Sequence, residues 1–312
     1  MKILYAGNLN VSHGSEYYIS KYLTKAGHDV TEFIYPSFDK DFKQINMLLF
    51  RMINDINPDF ILFGKCPGLT YNDIMKLRST GQIVVQWIFD KMSNVSDMFQ
   101  ENKITSRESW WIPQAKAFNL VLNPEFKMHK KYIDKGINHK ILLEGVDPEI
   151  FFPEKQQKKH DVVFVGSLHT RFRQEFVPYF ETNFNFSHIT KTYTDELRTM
   201  LNESKMSLCS NFDDRPECGF SVRIFEHMAC DVLCLHPYKK GMVDIGFEDK
   251  KNIVFYNKND KDDLVTKFRY YLSHDNEREQ IIRNQNELSK QFTWDKRIKE
   301  FMELLKRDGL IL

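Results

Sequence analysis

The sequence has no long apolar run, no excess of one charge and no paired-cysteine motif, and each gap removes a class of function. No stretch approaches the roughly 18 apolar residues that a membrane helix needs. The opening MKILYAGN turns polar after six residues, too short for the apolar region of a secretory signal, so a cytosolic protein without a membrane span is expected. Lys plus Arg total 44 against 43 for Asp plus Glu, a net charge of +1, which gives no general attraction to nucleic acid or anionic lipid. Only a local basic cleft is compatible with that balance.

The five cysteines, Cys66, Cys209, Cys218, Cys230 and Cys234, form no CxxC pair, and their odd count argues against a disulfide framework. Cys209 and Cys234 lie in short apolar runs, where a thiol serves as a small hydrophobe. A metal site drawn from Cys209, Cys218, Cys230 and a histidine lacks metal-ligand spacing. A Walker loop, an HExxH pair and a GxSxG elbow are also missing. The DxD-like triplets at 39–41 and 260–262 stand in polar stretches with no preceding strand. A divalent metal held on a diphosphate by such a triplet is therefore not expected. Arginine and a helix N-terminus can neutralise the same charge.

What is present is a 312-residue chain, 42% hydrophobic and 28% charged, enough for two ordinary globular domains. Short β-rich apolar runs alternate with helical patterns, as in parallel sheets wrapped by helices. Strands are expected at 3–7, 30–34, 60–63, 83–87, 120–122 and 141–143. A helix over 15–26 presents Tyr18, Ile19, Tyr22, Leu23 and Ala26 on one face. GVDPEIFFP, followed by the charged EKQQKKH, marks a boundary. DVVFV at 161–165 then opens a second series, with strands at 206–209, 232–235 and 253–256 and helices near 195–203, 221–229 and 262–273. The expected fold is two Rossmann-like α/β domains facing across a cleft, 1–150 on the acceptor side and 151–290 on the nucleotide-sugar side. A final helix within 291–312, capped by Thr293, presents Ile298, Phe301, Met302 and Leu305.

The segment ECGFSVRIFEHMACDVLCLHP at 217–237 places charge inside an apolar region. If a helix starts near Ser221, the backbone N–H groups around Gly219, Phe220, Ser221 and Val222 face an anion such as a diphosphate. Arg223 adds charge-assisted hydrogen bonds, and Glu226 can accept two ribose hydroxyls. The bland alternative is an exposed helix carrying a surface Arg–Glu pair. In GSLHTRFR at 166–173, Arg171 and Arg173 are candidates for the diphosphate, on one side if the loop is extended and on different faces if it is helical. Arg171 is favoured, and solvated loop arginines are the alternative.

On the acceptor side, His13 lies in the loop after the first strand and Asp90 ends IVVQWIFD, both at carboxyl strand edges. His13 can orient an acceptor hydroxyl or a donor phosphate, or be an ordinary loop histidine. Asp90 can take a proton, or simply cap its strand. Lys65 and Glu125 are weaker versions of the same inference.

Taken in order, GVDPEIFFP, DVVFVGS, SVRIFEHMACDVLCLHP and FTWDKRIKEFMELL resemble the group 1 glycosyltransferases of the GT-B type, especially the CgeB-like branch with its RxFExxAC signature. The resemblance spans the C-terminal half. It implies metal-independent transfer of a hexosyl or pentosyl group from a nucleotide diphosphate sugar, a UDP-sugar first, to a glycan or other hydroxyl acceptor. Retention of configuration is implied, with the Glu226 carboxylate on the ribose and the last helix crossing back to the N-terminal domain. It also implies an aspartate at Asp90. Two positions depart from the larger family: Cys218 replaces a second glutamate, with Glu217 adjacent, and Asp231 replaces a glycine. The missing glutamate leaves a non-catalytic nucleotide-sugar-binding scaffold as the competing function. The Lys-, Asn-, Ile- and Phe-rich composition suggests AT-rich coding, and a phage enzyme glycosylating a hydroxylated DNA base is a third reading, with Trp110 and Trp111 stacking on the base.

Overall fold

The computed structural model describes residues 1–36, 41–89, 107–126, 129–168, 171–209, 221, 223–258 and 260–312. The chain divides into two compact units, Met1–Glu144 with Trp294–Leu312, and Gly145–Thr293.

The first unit alternates strand and helix: β1 Lys2–Gly7, α1 Ser15–Lys25, β2 Asp29–Ile34, α2 Phe42–Ile56, β3 Phe60–Phe63, α3 Tyr71–Ser79, β4 Val84–Trp87, α4 Arg107–Ala115, β5 Leu120–Asn123, α5 His129–Asp134 and β6 His139–Ile141. The strands form one parallel sheet in the order β2-β1-β3-β4-β5-β6. FILF of β3 and LVLN of β5 are wholly buried, as expected for strands covered on both faces. Strand β6 lies two residues before the 141–143 expected from hydropathy.

Local chemistry fixes the helix ends. Asp41 caps α2 by accepting from Lys43 N and Gln44 N, and Asn57 ends it with a left-handed φ of 48°. Thr70 and Asp73 form a reciprocal capping box on α3. Helix α12, Trp294–Arg307, packs against α1 and buries Trp294, Ile298, Phe301, Leu304 and Leu305, with Met302 half-buried. Trp294 stacks on Tyr18 at 5.9 Å, and Phe301 lies 5.3 Å from Trp87.

The second unit runs β7 His160–Val165, α6 Arg171–Asn183, β8 Phe186–Ile189, α7 Thr194–Asn202, β9 Ser204–Leu208, α8 Arg223–Met228, β10 Leu233–Pro237, α9 Lys240–Val243, β11 Val254–Tyr256, α10 Lys261–Ser273 and α11 Asp275–Ser289. Its parallel sheet has the order β11-β10-β9-β7-β8. Asp260 caps α10 by accepting from Asp263 N, so each DxD-like triplet supplies a helix cap, Asp41 as the last residue of one and Asp260 as the first of the other.

Strand alternation sorts this sheet sharply. Met206, Leu208, Leu233, Leu235, Val254 and Tyr256 join one apolar core with Phe180, Leu264 and Phe268. The opposite face of β9 and β10, in register through Cys234 and Ser207, carries Ser207, Cys209, Cys234 and His236.

GVDPEIFFP is tied to this unit by side chains. Asn202, fully buried, donates to Phe152 O and accepts from Glu154 N and Asp231 N. Asp231 pairs with Lys158 at 2.9 Å.

Candidate functional site

In each sheet the chain turns from the second strand back to the third across the first, so the crevice at the carboxyl ends lies between β1 and β3 and between β7 and β9. Ligands of open parallel sheets collect at such switch points. The two crevices are chemically opposite.

In the first unit the crevice is filled from within. Gly7 and Gly64 close β1 and β3, and an added Cβ would lie 2.6 Å from Glu16 Oε2 at Gly7 and 2.2 Å from Glu16 Oε1 at Gly64. The Glu16 carboxylate, in the first turn of α1, takes the N–H of Asn8 and, at 2.8 Å, that of Lys65. The backbone amides that would greet a phosphate are thus spent on an internal anion. Its field also reaches Tyr5 and Cys66, whose groups are pushed well up by burial first and by Glu16 next. Sequence reasoning missed Glu16; the signal was two strands each ending in glycine, with an acid at the start of the intervening helix.

The second unit presents arginine instead. The 171–173 stretch is helical from Arg171, the second of the two conformations expected for it. The side chain of Arg171 lies outside the described residues. Arg173, 8% exposed, donates from Nη1 to Ser167 O at 2.9 Å and sits 5.3 Å over the Phe164 ring. It is thereby fixed on the turn that follows β7.

Arg223 opens α8, which starts two residues later than expected and is one and a half turns long. Ser221 is exposed and its Oγ accepts from Arg223 N at 3.4 Å, a weak cap. The Arg223 guanidinium donates twice to Thr192 O, each at 3.4 Å, and covers the Tyr193 ring at 5.4 Å. It thus reaches the loop after β8. Glu226 lies 4.0 Å from Arg223 Nη1, with its side chain 12% exposed. Burial raises the Glu226 carboxyl above the ordinary carboxylate range, opposed by Arg223 and His227. A solvated surface pair does not have this environment.

Gly219, Phe220 and Val222 lie outside the described residues, as do Asp90, Cys218 and Glu217. His13 is half-buried in the turn before α1, where Gly14 N bonds Val11 O. Lys65 contributes its backbone N–H to Glu16, and the buried Glu125 accepts from Tyr132 at 2.7 Å. Trp111 corrects an expectation: it is fully buried, donates to Gln86 Oε1 at 2.9 Å and packs on Tyr132 at 4.9 Å, so it has no face to offer a base.

Residues 149–303 match the family of glycosyl transferase-like domains. No curated protein matches the chain in sequence. Among solved structures, the Anabaena protein HepE in complex with UDP-glucose superposes with a TM-score of 0.70 at 12% identity, over 98% of this chain and 100% of that one. A glycosyltransferase from Rickettsia africae gives 0.70 at 12% identity over 99% and 98%. The β-glucosyltransferase of phage T4 gives 0.60 at 13% identity over 99% of each. The fold is that of the GT-B glycosyltransferases. Within that GT-B fold, the arginine-lined crevice belongs to the second unit, together with α8.

Proposed function

We propose that the chain transfers a sugar from a nucleotide diphosphate donor, a UDP-sugar first, to a hydroxyl acceptor, as a group 1 enzyme of the CgeB-like branch. One contrast carries this reading: Glu16 fills the phosphate position of the first unit, while Arg173 and Arg223 stand at the carboxyl edge of the second. Glu226 then accepts the ribose hydroxyls. Two of the five N–H donors of Arg223 go to Thr192 O, and an arginine so oriented stabilises the departing diphosphate by charge-assisted hydrogen bonds. Arg171 is a second cation for the same group, and Ser221 with the amides of 219–222 completes the anion-binding loop. The match to HepE bound to UDP-glucose supports the donor class.

Asp90 and His13, assigned to the carboxyl edge of the first sheet, hold the acceptor hydroxyl, with Asp90 placed to take its proton. Asp90→Asn is expected to cut transfer about a hundredfold while donor affinity by isothermal titration stays within about twofold. Equal loss of donor affinity would move Asp90 into the donor site or into the fold.

Charge neutralisation by arginine leaves no role for a divalent metal on the diphosphate, and retention of configuration follows the family resemblance. After brief chelation and desalting, donor affinity should be unchanged by adding back Mg²⁺ or Mn²⁺. Binding that appears only with either ion would overturn the arginine mechanism. The decisive assay is release of nucleoside diphosphate from a panel of nucleotide sugars. Saturable binding with no release for any donor and acceptor would instead make the chain a nucleotide-sugar-binding scaffold.

A further inference from the structure

Beneath α8, on its side facing β9 and β10, lies a cluster with no part in the reading above. Cys209 follows β9, Cys234 lies within β10 and His227 comes from α8; one ligand atom from each falls within 4.8 Å of the others, and all three residues are buried. Cys209 Sγ lies 3.3 Å from His227 Nδ1, and Ser207 Oγ donates to Cys234 Sγ at 3.6 Å. His236, fully buried, is the next residue on the same face of β10.

Two observations set this cluster apart from ordinary packing. The alternation of β9 and β10 gives one face wholly to apolar side chains, and this polar set occupies the other. Among the described residues, His227 Nε2 and His236 Nε2 are buried without a hydrogen-bond partner, which native interiors rarely tolerate. The Nδ1 of His236 lies 2.7 Å from Pro237 O. A carbonyl accepts only from N–H, so Nε2 carries the lone pair, the arrangement that a second-shell carbonyl imposes on metal-ligating histidines.

We propose that Cys209, Cys234 and His227 bind a thiophilic divalent cation of the zinc type, with His236 as the fourth donor. Two thiolates neutralise the ion, and two neutral imidazoles complete a Cys₂His₂ set, the composition of closed structural sites. Such a site fastens α8 to the sheet through the residue next to Glu226. It lies on the buried side of that helix.

The test is titration of reduced, chelator-treated full-length protein with Co²⁺. One equivalent should bring thiolate-to-cobalt charge transfer in the near ultraviolet and the intense visible bands of a tetrahedral complex, both removed by excess Zn²⁺. Cys209→Ser and Cys234→Ser should abolish the charge-transfer band, and His227→Gln should weaken binding at least tenfold. Cys66→Ser, Cys218→Ser and Cys230→Ser should leave the spectrum intact. Should a cluster variant fail to fold, zinc-edge X-ray absorption on the wild-type protein must show two sulfur and two imidazole ligands. Absence of a one-to-one Co²⁺ complex, an all-oxygen/nitrogen zinc shell, or bands that depend on Cys66, Cys218 or Cys230 overturns the proposal.

Discussion

Glu226→Gln should weaken nucleoside diphosphate binding by about ten- to a hundredfold while leaving the melting temperature unchanged or higher. The substitution keeps the side-chain volume but replaces one acceptor oxygen with a donor and removes the charge. Hydrogen bonds to a charged group contribute roughly 1.5–3 kcal/mol, which sets the affinity loss. The stability effect has the opposite sign. Burial raises the folded-state pKa of Glu226, so the folded protein is penalised as pH rises through the window between the unfolded and folded values. Above that window the full penalty applies, and a neutral isostere relieves it. Affinity in the wild type should correspondingly fall as pH drops through the raised pKa, since the protonated acid loses an acceptor. Calorimetric titration and thermal melts on one preparation check both. A mutant that binds like wild type removes the ribose assignment, and one that unfolds makes Glu226 a structural partner of Arg223.

The largest stability effect is expected at Gly64, where the smallest possible addition meets a fixed carboxylate. The three atoms nearest to a new Cβ all belong to Glu16, at 2.2, 2.5 and 2.8 Å. Gly64→Ala must therefore evict Glu16 and orphan the amides of Asn8 and Lys65, costing about 3–5 kcal/mol by overpacking and lost charged hydrogen bonds. Glu16→Ala alone should cost about 2–3 kcal/mol from the orphaned amides. Once Glu16 is gone the alanine has room, so the double variant should be nearly as stable as Glu16→Ala, a large departure from additivity. Phosphate or sulfate should stabilise Glu16→Ala more than wild type, because the vacated amides suit an anion. Additive denaturation energies for the two substitutions would show that Glu16 and Gly64 do not share this space.

The regular part of the molecule was legible because parallel strands bury both faces and write continuous apolar runs, as FILF and LVLN do. Edges were less so: Leu142 and Leu143 continue the apolar signal after Ile141, yet pairing with β5 ends at Ile141, since register rather than hydropathy closes a strand. Helix α8 was expected to start near Ser221; among the described residues it runs from Arg223, whose N–H donates weakly to Ser221 Oγ. Arg171 was favoured, but spacing could not exclude Arg173, because their relative placement turned on whether the loop was already helical. Glu16 and His227 escaped for a different reason. Their meaning depends on glycines and cysteines brought close by strand pairing across dozens of residues, and no local window contains that information. The same holds for Trp111, whose partner Gln86 sits on the neighbouring strand β4.

The division of the chain has a consequence for how it is made. The first unit takes α12 from the far end of the sequence, and Trp294 and Phe301, both fully buried, complete the aromatic packing around Trp87 and Tyr18. The intervening 145–293 unit is continuous and can close on itself as soon as it leaves the ribosome. The amino-terminal segment cannot: at about 5–20 residues per second it waits roughly ten to thirty seconds for its last helix. During that interval the faces of Tyr18, Phe60 and Trp87 stand open to water or to a chaperone. Vectorial synthesis thus finishes the second unit first, and a ribosome that stalls after residue 293 releases a chain whose amino-terminal sheet still lacks its aromatic cover.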